Sequence, residues 1–329
     1  MWLEEKIHAP EVGRQWINSP AATLAGLRGR VVLVDFWDYT CVNCLRTIPY
    51  LKEWNRRYRG HGLSIIGVHA PEFHFARTAR NVERAVKELG IEYPVVLDND
   101  YQIWQAYSNR CWPAKYLIDA KGYVRYCHLG EGAYRESEEA IHSLLKEIAA
   151  ADHFPAPMEA LRDTDRPGAR CSPVTPELYL GFGRGRLGND GGYAANEVKD
   201  YHAGSEPTGA VAWLDGPWFA GSESIEACPI EDLPARLIVA YRAAEVNLVM
   251  SPPEDGVGLI SLTLDGSPLR DPEAGEDVHS RDGQSLVAVS EPRMYRLVKH
   301  DRVESRRLEV TALTSGVSLY AFTFVSCVE

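Results

Sequence analysis

The chain has 329 residues, enough for two domains with separate cores, and an ordinary globular composition. Its formal net charge of −11 and lack of any long Lys/Arg run argue against nucleic acid or an anionic membrane surface as partner. No apolar run approaches the ~20 residues that span a bilayer. The first residues, MWLEEKIHAPEVGRQW, are acidic where a signal peptide is basic, and no apolar stretch follows them. The expectation is a cytoplasmic chain, or a periplasmic one if the sequence is trimmed. Seven cysteines without disulfide-framework spacing agree with a reducing compartment.

Residues 1–30 read as irregular, with Gly26-Leu27-Arg28-Gly29-Arg30 a turn into the first strand. Residues 31–36, VVLVDF, have the unbroken apolar character of a strand covered on both faces, interrupted only by Asp35. A carboxylate in such a run is desolvated and its pKa raised, which suits a proton acceptor for a buried thiol. The plainer alternative is a carboxylate bonded to the neighbouring turn.

Cys41 and Cys44 follow, spaced C-x-x-C at the mouth of an amphipathic helix whose apolar residues are Leu45, Ile48, Leu51, Trp54 and Tyr58. A thiolate at a helix N-terminus meets unpaired amides and the positive end of the dipole, which lowers a Cys pKa from ~8.5 towards neutrality. Cys41 is therefore the expected nucleophile. Cys44, one turn further in and shielded, is the expected resolving thiol. Half a zinc site is the competing reading, but Cys111, Cys127, Cys171, Cys228 and Cys327 are scattered singly and no His pair stands at ligand spacing. Inert core thiols are the third. Pro49 lies inside the same helix, where it removes an amide donor.

The pattern continues as a strand at 63–68, a helix with apolar residues from Phe75 to Leu89, a strand at 93–97 and a short helix at 101–107. Cys111-Trp112-Pro113 then precedes strands 114–118 and 123–129, joined by the turn Asp119-Ala120-Lys121-Gly122, and a last helix at about 135–150.

Several separated motifs within residues 9–150 now agree. Val34-Asp35-Phe36-Trp37 before C-x-x-C, Pro49 eight residues after Cys41, and Trp112-Pro113 before a strand-turn-strand resemble the thioredoxin superfamily. Residues 38–46 (DYTCVNCLR), 67–73 (GVHAPEF) and 112–119 (WPAKYLID) are similar to the TlpA/DipZ-type thiol:disulfide oxidoreductases within it. The resemblance implies an α/β thioredoxin-like domain with a mixed sheet flanked by helices. It implies Cys41 as attacking thiol, Cys44 as resolving thiol, Asp35 as buried proton shuttle and Pro113 as a cis-proline. Trp112, Pro113 and Trp37 are the expected substrate-binding residues. The partners it implies are protein thiols and disulfides plus a redox partner, with no cofactor beyond the Cys41–Cys44 disulfide. DipZ-type proteins commonly carry a membrane-embedded electron-conducting portion, and no apolar run of that kind occurs here. Val42-Asn43 is not the Gly-Pro of thioredoxin, so no reduction potential carries over. His69 and Glu72 lie beyond a strand end, where a peripheral structural role is expected.

Residues 152–176 are proline-rich and aperiodic, a linker between a redox domain at 1–151 and a second domain at 177–329. Beyond it come short alternating runs at 210–214, 237–242, 246–250, 259–264, 285–289, 293–298, 307–311 and 317–324, separated by turns such as Asp265-Gly266 and Asp282-Gly283. They indicate an all-β sandwich or jelly roll. Residues 176–181 and 319–324 resemble the ends of the galactose-binding-like, carbohydrate-module-like domains found in some DipZ-type proteins. Trp213, Trp218, Phe219 and Tyr241 are the aromatics available for a glycan, or for the core. Gly183-x-Gly185-x-x-Gly188 satisfies a dinucleotide pattern but lacks the strand and helix that give it meaning.

Two other functions compete with dithiol exchange. A peroxiredoxin-type thiol peroxidase lacks support, because P-x-x-x-T-x-x-C is absent around both thiols. A glycan- or partner-binding protein with an inert thioredoxin-like scaffold is the non-enzymatic reading.

Overall fold

The computed structural model describes residues 1–13, 15–148, 154–166, 168–169, 172–204, 209–230 and 233–326, with backbone alone at 4–6. The chain divides into two units, Met1–Ala169 and Arg170–Glu329. Cys171 and Cys327 lie outside the described residues, as do the last residues of the helix expected to reach 150.

In the first unit the strands are β1 (Trp2–His8), β2 (Trp16–Ile17), β3 (Val31–Trp37), β4 (Leu63–His69), β5 (Val95–Leu97), β6 (Ala114–Ile118) and β7 (Tyr123–Leu129). They form one sheet in the order β1-β7-β6-β3-β4-β5-β2. β3, β4 and β5 run parallel, and β6 runs antiparallel to β3. The helices are α1 (Val42–Tyr58), α2 (Ala79–Glu88), α3 (Gln102–Ala106) and α4 (Tyr134–Lys146). β1 and β2 add edge strands where the sequence reads as irregular. They are short and lack a clean alternation, so only pairing with β7 and β5 makes them strands.

Every residue of β3 is buried, and its side chains alternate between two cores as a strand demands. Val32, Val34 and Phe36 pack with Ile103 and Tyr107 on one face. Val31, Leu33 and Trp37 pack with Ile48, Leu51 and Trp54 of α1 on the other. Parity puts Asp35 on the α1 face. Opposite Asp35 stand Gly67 in β4 and Lys115 in β6. A Cβ at Gly67 would lie 3.0 Å from Trp37 Nε1 and 3.3 Å from Tyr93 Cε2, so glycine leaves room there for both rings.

Much of the expected linker is fastened to this unit. Leu161 N donates to Tyr50 Oη (2.8 Å), Tyr50 Oη donates to Asp165 Oδ2 (2.6 Å), and Arg162 bridges Glu131 (2.7 Å) and Asp165 (2.8 Å). Met158 N also donates to Glu138 Oε2 at 3.0 Å. Residues 158–165 thus form a strap with specific partners on this unit.

The second unit is strand-rich: β8 (Leu178–Tyr179), β9 (Val198–Tyr201), β10 (Ala212–Ala220), β11 (Ile225–Ala227), β12 (Ala235–Ser251), β13 (Gly258–Leu264), β14 (His279–Arg281), β15 (Gln284–Val289), β16 (Arg293–Ala312) and β17 (Ser318–Val325). Two pairs of expected strands are single long ones. β12 spans 237–242 and 246–250, and β16 spans 293–298 and 307–311, with the irregular register near Ala243–Asn247 absorbed as bulges. β12 pairs with both β10 and β17, and β11 joins those two, so the hydrogen bonds close a ring of four strands, and one apolar core draws on these and on β13, β15 and β16. Trp218 and Tyr241 belong to that core, which removes them from the aromatics open to a glycan. Gly188 lies flat against Trp213, where a Cβ would come within 2.1 Å of the indole. The glycine pattern here serves close packing.

Candidate dithiol site

The turn from β3 into α1 is organised by Asp38, which is fully buried. Its Oδ1 accepts from Thr40 N (2.6 Å) and Thr40 Oγ1 (2.7 Å), and its Oδ2 accepts from Glu72 N (2.7 Å). Cys41 then caps α1 in an extended conformation (φ −84°, ψ 111°), its Sγ accepting from Cys44 N at 3.2 Å. This satisfies one of the amides that a first turn leaves unpaired. Cys41 also receives a side-chain hydrogen bond from the Cys44 thiol, and Asp38 N–H donates to Cys44 Sγ. Both cysteines are free thiols; Cys41 is half-buried and Cys44 is buried.

Burial pushes the Cys41 thiol up, against the hydrogen bonds from Cys44 and with help from the charges of Glu72 and Asp38. This corrects the expectation of a pKa lowered towards neutrality. The helix-terminal donors are present, but dehydration outweighs them in the dithiol form, even though part of Cys41 remains open to solvent. Burial pushes Cys44 much further up, and its hydrogen bond to Cys41 and the charges of Cys41 and Asp35 add to that. Cys41 thus stays the more acidic of the pair.

Asp35 is 1% exposed and its Oδ1 has no hydrogen-bond partner. Burial raises its carboxyl to about 7, with Lys115 opposing the rise. The turn-bonded alternative for Asp35 does not describe this carboxylate; Asp38 fills that role. Lys115 is equally buried, its Nζ lacks a hydrogen bond, and burial pushes its ammonium down while Asp35 and Cys44 push it up. Tyr93 presents a third unpartnered polar atom, its hydroxyl, pushed well up by burial and then by Asp35 and Cys44.

The Trp112–Pro113 peptide is cis. Trp112 sits half-buried at the edge of the same apolar cluster as Cys41. Its indole donates to Ala70 O (3.0 Å) and packs on Trp104 at 4.4 Å. Ala70 N in turn donates to Trp37 O at 3.1 Å, tying this loop to the end of β3. Trp37 itself is 1% exposed and edge-on to His69 at 5.3 Å. A contact between Trp37 and substrate is thereby corrected to a core position, since strand parity turns the indole inward beneath α1.

His69 is also inside, stacked on Tyr39 at 5.6 Å with Nε2 3.8 Å from Asp38 Oδ2. Burial lowers it to about 3, so its ring is neutral at ordinary pH. Glu72 touches the site through its amide and its charge. Lys115, Tyr93 and Asp38 were not singled out from sequence. For Lys115 a signal existed, a lysine inside the apolar run AKYLI, which is the same anomaly that marked Asp35. Among the described residues no three His, Cys, Asp or Glu side chains gather as a metal site.

A half-exposed capping cysteine, a buried partner thiol one turn on, and a protonatable carboxylate beneath them define a thioredoxin-fold dithiol protein. The Redoxin family model matches residues 18–143, and the model described as Thioredoxin like C-terminal domain matches residues 175–324. Protein DipZ of Mycobacterium tuberculosis (strain CDC 1551 / Oshkosh) is 35% identical over 316 residues, covering 94% of this chain and 41% of DipZ. Thiol-disulfide oxidoreductase ResA of Bacillus subtilis (strain 168) is 30% identical over 122 residues, covering 37% of this chain and 65% of ResA. Among solved structures, a thiol-disulfide isomerase from Corynebacterium glutamicum is similar at 26% identity and a TM-score of 0.38, over 42% of this chain and 96% of that one. The chain is thus similar over its first unit to thiol:disulfide oxidoreductases of the thioredoxin superfamily, and over both units to DipZ. It spans about two fifths (41%) of the length of the DipZ proteins it matches. Among the described residues no helix is long and apolar enough to cross a membrane.

Proposed function

We propose that the chain exchanges the Cys41–Cys44 dithiol with disulfides in protein substrates through a mixed disulfide. The observation that carries this reading is the asymmetry of the pair: Cys41 is half-open to solvent and accepts two hydrogen bonds from Cys44, while Cys44 is closed in above Asp35. Cys41 thiolate attacks one sulfur of the substrate disulfide, and the other sulfur leaves as a thiolate. Asp35 carboxylate takes the Cys44 proton. Cys44 thiolate then attacks Cys41 Sγ, expelling the second substrate sulfur with its electron pair. The products are a reduced substrate and the Cys41–Cys44 disulfide, and the reverse sequence oxidises a dithiol. Trp112, half-buried in the same apolar cluster as Cys41, and the buried Pro113 that follows it through a cis bond are the residues we assign to substrate contact, Pro113 through its backbone.

The test is capture of intermediates. Cys44→Ser should accumulate mixed disulfides with protein clients, because Cys41 still attacks and nothing resolves the adduct. Cys41→Ser should accumulate none. Equal trapping by both variants would overturn the assignment, and rapid peroxide consumption by the reduced wild type would favour the peroxidase.

A further inference from the structure

The inference drawn here rests on the dithiol reading and concerns Lys115, to which that reading gives no part. Asp35 of β3 and Lys115 of β6 are directly opposed in antiparallel register, which points both side chains to the same face. That face holds Leu33, Trp37 and Leu117, the core beneath α1. Both residues are 1% exposed, and neither Asp35 Oδ1 nor Lys115 Nζ has a hydrogen-bond partner. An ammonium so placed is costly unless a nearby anion supports it.

The groups that face Lys115 come from every element packed around it. They are Asp35 from β3, Cys44 from α1, Cys111 from the loop before β6, Glu131 from the loop after β7, His128 of β7 and the Tyr134 ring of α4, whose centroid is 5.6 Å from Nζ. Those that face Asp35 are Lys115, Cys44 and Tyr93. Lys115 is the cation of this set, since burial and Lys115 itself hold His128 down.

We propose that Lys115 is the counter-charge for the single negative charge that passes between Asp35 and Cys44, and so a positioning residue for the resolving step. Before resolution the charge is on Asp35. Transfer of the Cys44 proton to Asp35 moves it to Cys44 Sγ. Formation of the Cys44–Cys41 bond sends the electron pair out with the substrate thiolate, and Asp35 then releases its proton. Lys115 exchanges no atom or electron, and its ammonium faces both places the charge occupies.

The experiment uses Lys115→Met, an apolar side chain of similar length. Carbon-13 labelling of aspartate follows the Asp35 carboxyl in the reduced protein, and dithiobis-nitrobenzoate reports the chemistry, one nitrobenzoate thiolate leaving when Cys41 attacks and a second when Cys44 resolves. In Lys115→Met the Asp35 midpoint should rise from about 7 by about one pH unit or more. The second release at neutral pH should slow by about tenfold, with the first within about twofold of wild type. An unchanged or lowered midpoint in the folded variant, or equal slowing of both releases, would overturn the proposal. If Lys115→Met does not fold, the wild type decides: the nitrogen-15 signal of Lys115 Nζ should inflect at the Asp35 midpoint, and a flat signal there overturns the proposal. If wild type releases no second thiolate, the dithiol reading fails, while the carboxyl titration still judges Lys115.

Discussion

Two cross-strand acid–base pairs, one in each unit, show how burial turns one arrangement to different ends. Asp35 and Lys115 oppose each other across β3 and β6, and Asp215 and Arg236 across β10 and β12. The second pair forms an ion pair with side chains 21% and 43% exposed, where water screens it and its worth is at most about 1 kcal/mol. The first pair is sealed, and Asp35 Oδ1 and Lys115 Nζ lack hydrogen bonds. Its free energy appears as a raised proton affinity of Asp35, and through that as a stability that depends on pH. In the second unit Asn247 Nδ2 and Thr323 Oγ1 are also buried without partners, but neither group titrates, and other buried polar groups there are closed. Asn189 makes three bonds to Leu214 N, Leu214 O and His202 O at 2.7–3.0 Å, and Tyr241 Oη meets His300 Nε2 at 2.8 Å. The comparison separates a core assembled for stability from one that keeps titratable atoms unsatisfied next to a dithiol.

Cys41→Ser offers the strongest way to sharpen the contrast: insulin reduction should fall to background while circular dichroism of both units stays unchanged. Asp35→Asn comes next. By removing the proton acceptor it should slow release of the second substrate sulfur by about a hundredfold near neutral pH, measured by stopped flow, and leave the first attack nearly intact.

The same carboxyl also predicts a stability effect. Its folded pKa of about 7 lies above the unfolded value of 3.8, so between those limits the native chain holds a proton that the unfolded chain has released. Stability from this group is therefore greatest at acid pH and falls by about 4 kcal/mol as pH rises from about 4 to about 7. Denaturant melts of the first unit across that window should show the slope, and Asp35→Asn should flatten it. Cutting the core of the second unit with Trp218→Ala, a residue with no exposed surface, should cost about 3–5 kcal/mol in that unit's unfolding transition. Arg236→Ala should cost no more than about 1 kcal/mol, and salt should shrink that cost. A larger loss at Arg236 than at Trp218 would break the comparison, because it would make the exposed pair a mainstay of the fold.

Local patterns carried much of this. The apolar run of β3, the helical spacing after Cys44, the C-x-x-C pair and the turn at Asp119 are each written within a few residues, and periodicity suffices to read them. Asp35 was legible because a charge in an apolar run is an anomaly at its own position. The edge strands β1 and β2 were not, since their strand character comes from partners far along the chain. Nor was the continuity of β12 and β16, whose bulges resemble turns until the neighbouring strands are in place.

By itself the amino-acid order determined that a dithiol would cap a helix after a buried strand, and that a strand-rich unit would follow. Tertiary structure alone decided what surrounds those sulfurs. Register across the sheet set Lys115 and Gly67 on either side of Asp35, strand parity turned Trp37 inward, and enclosure of Cys41 cancelled the acidity its helix position promised. The physical reason is range: periodicity and capping act over a turn or a strand, whereas desolvation and charge depend on atoms that folding brings together from the whole unit.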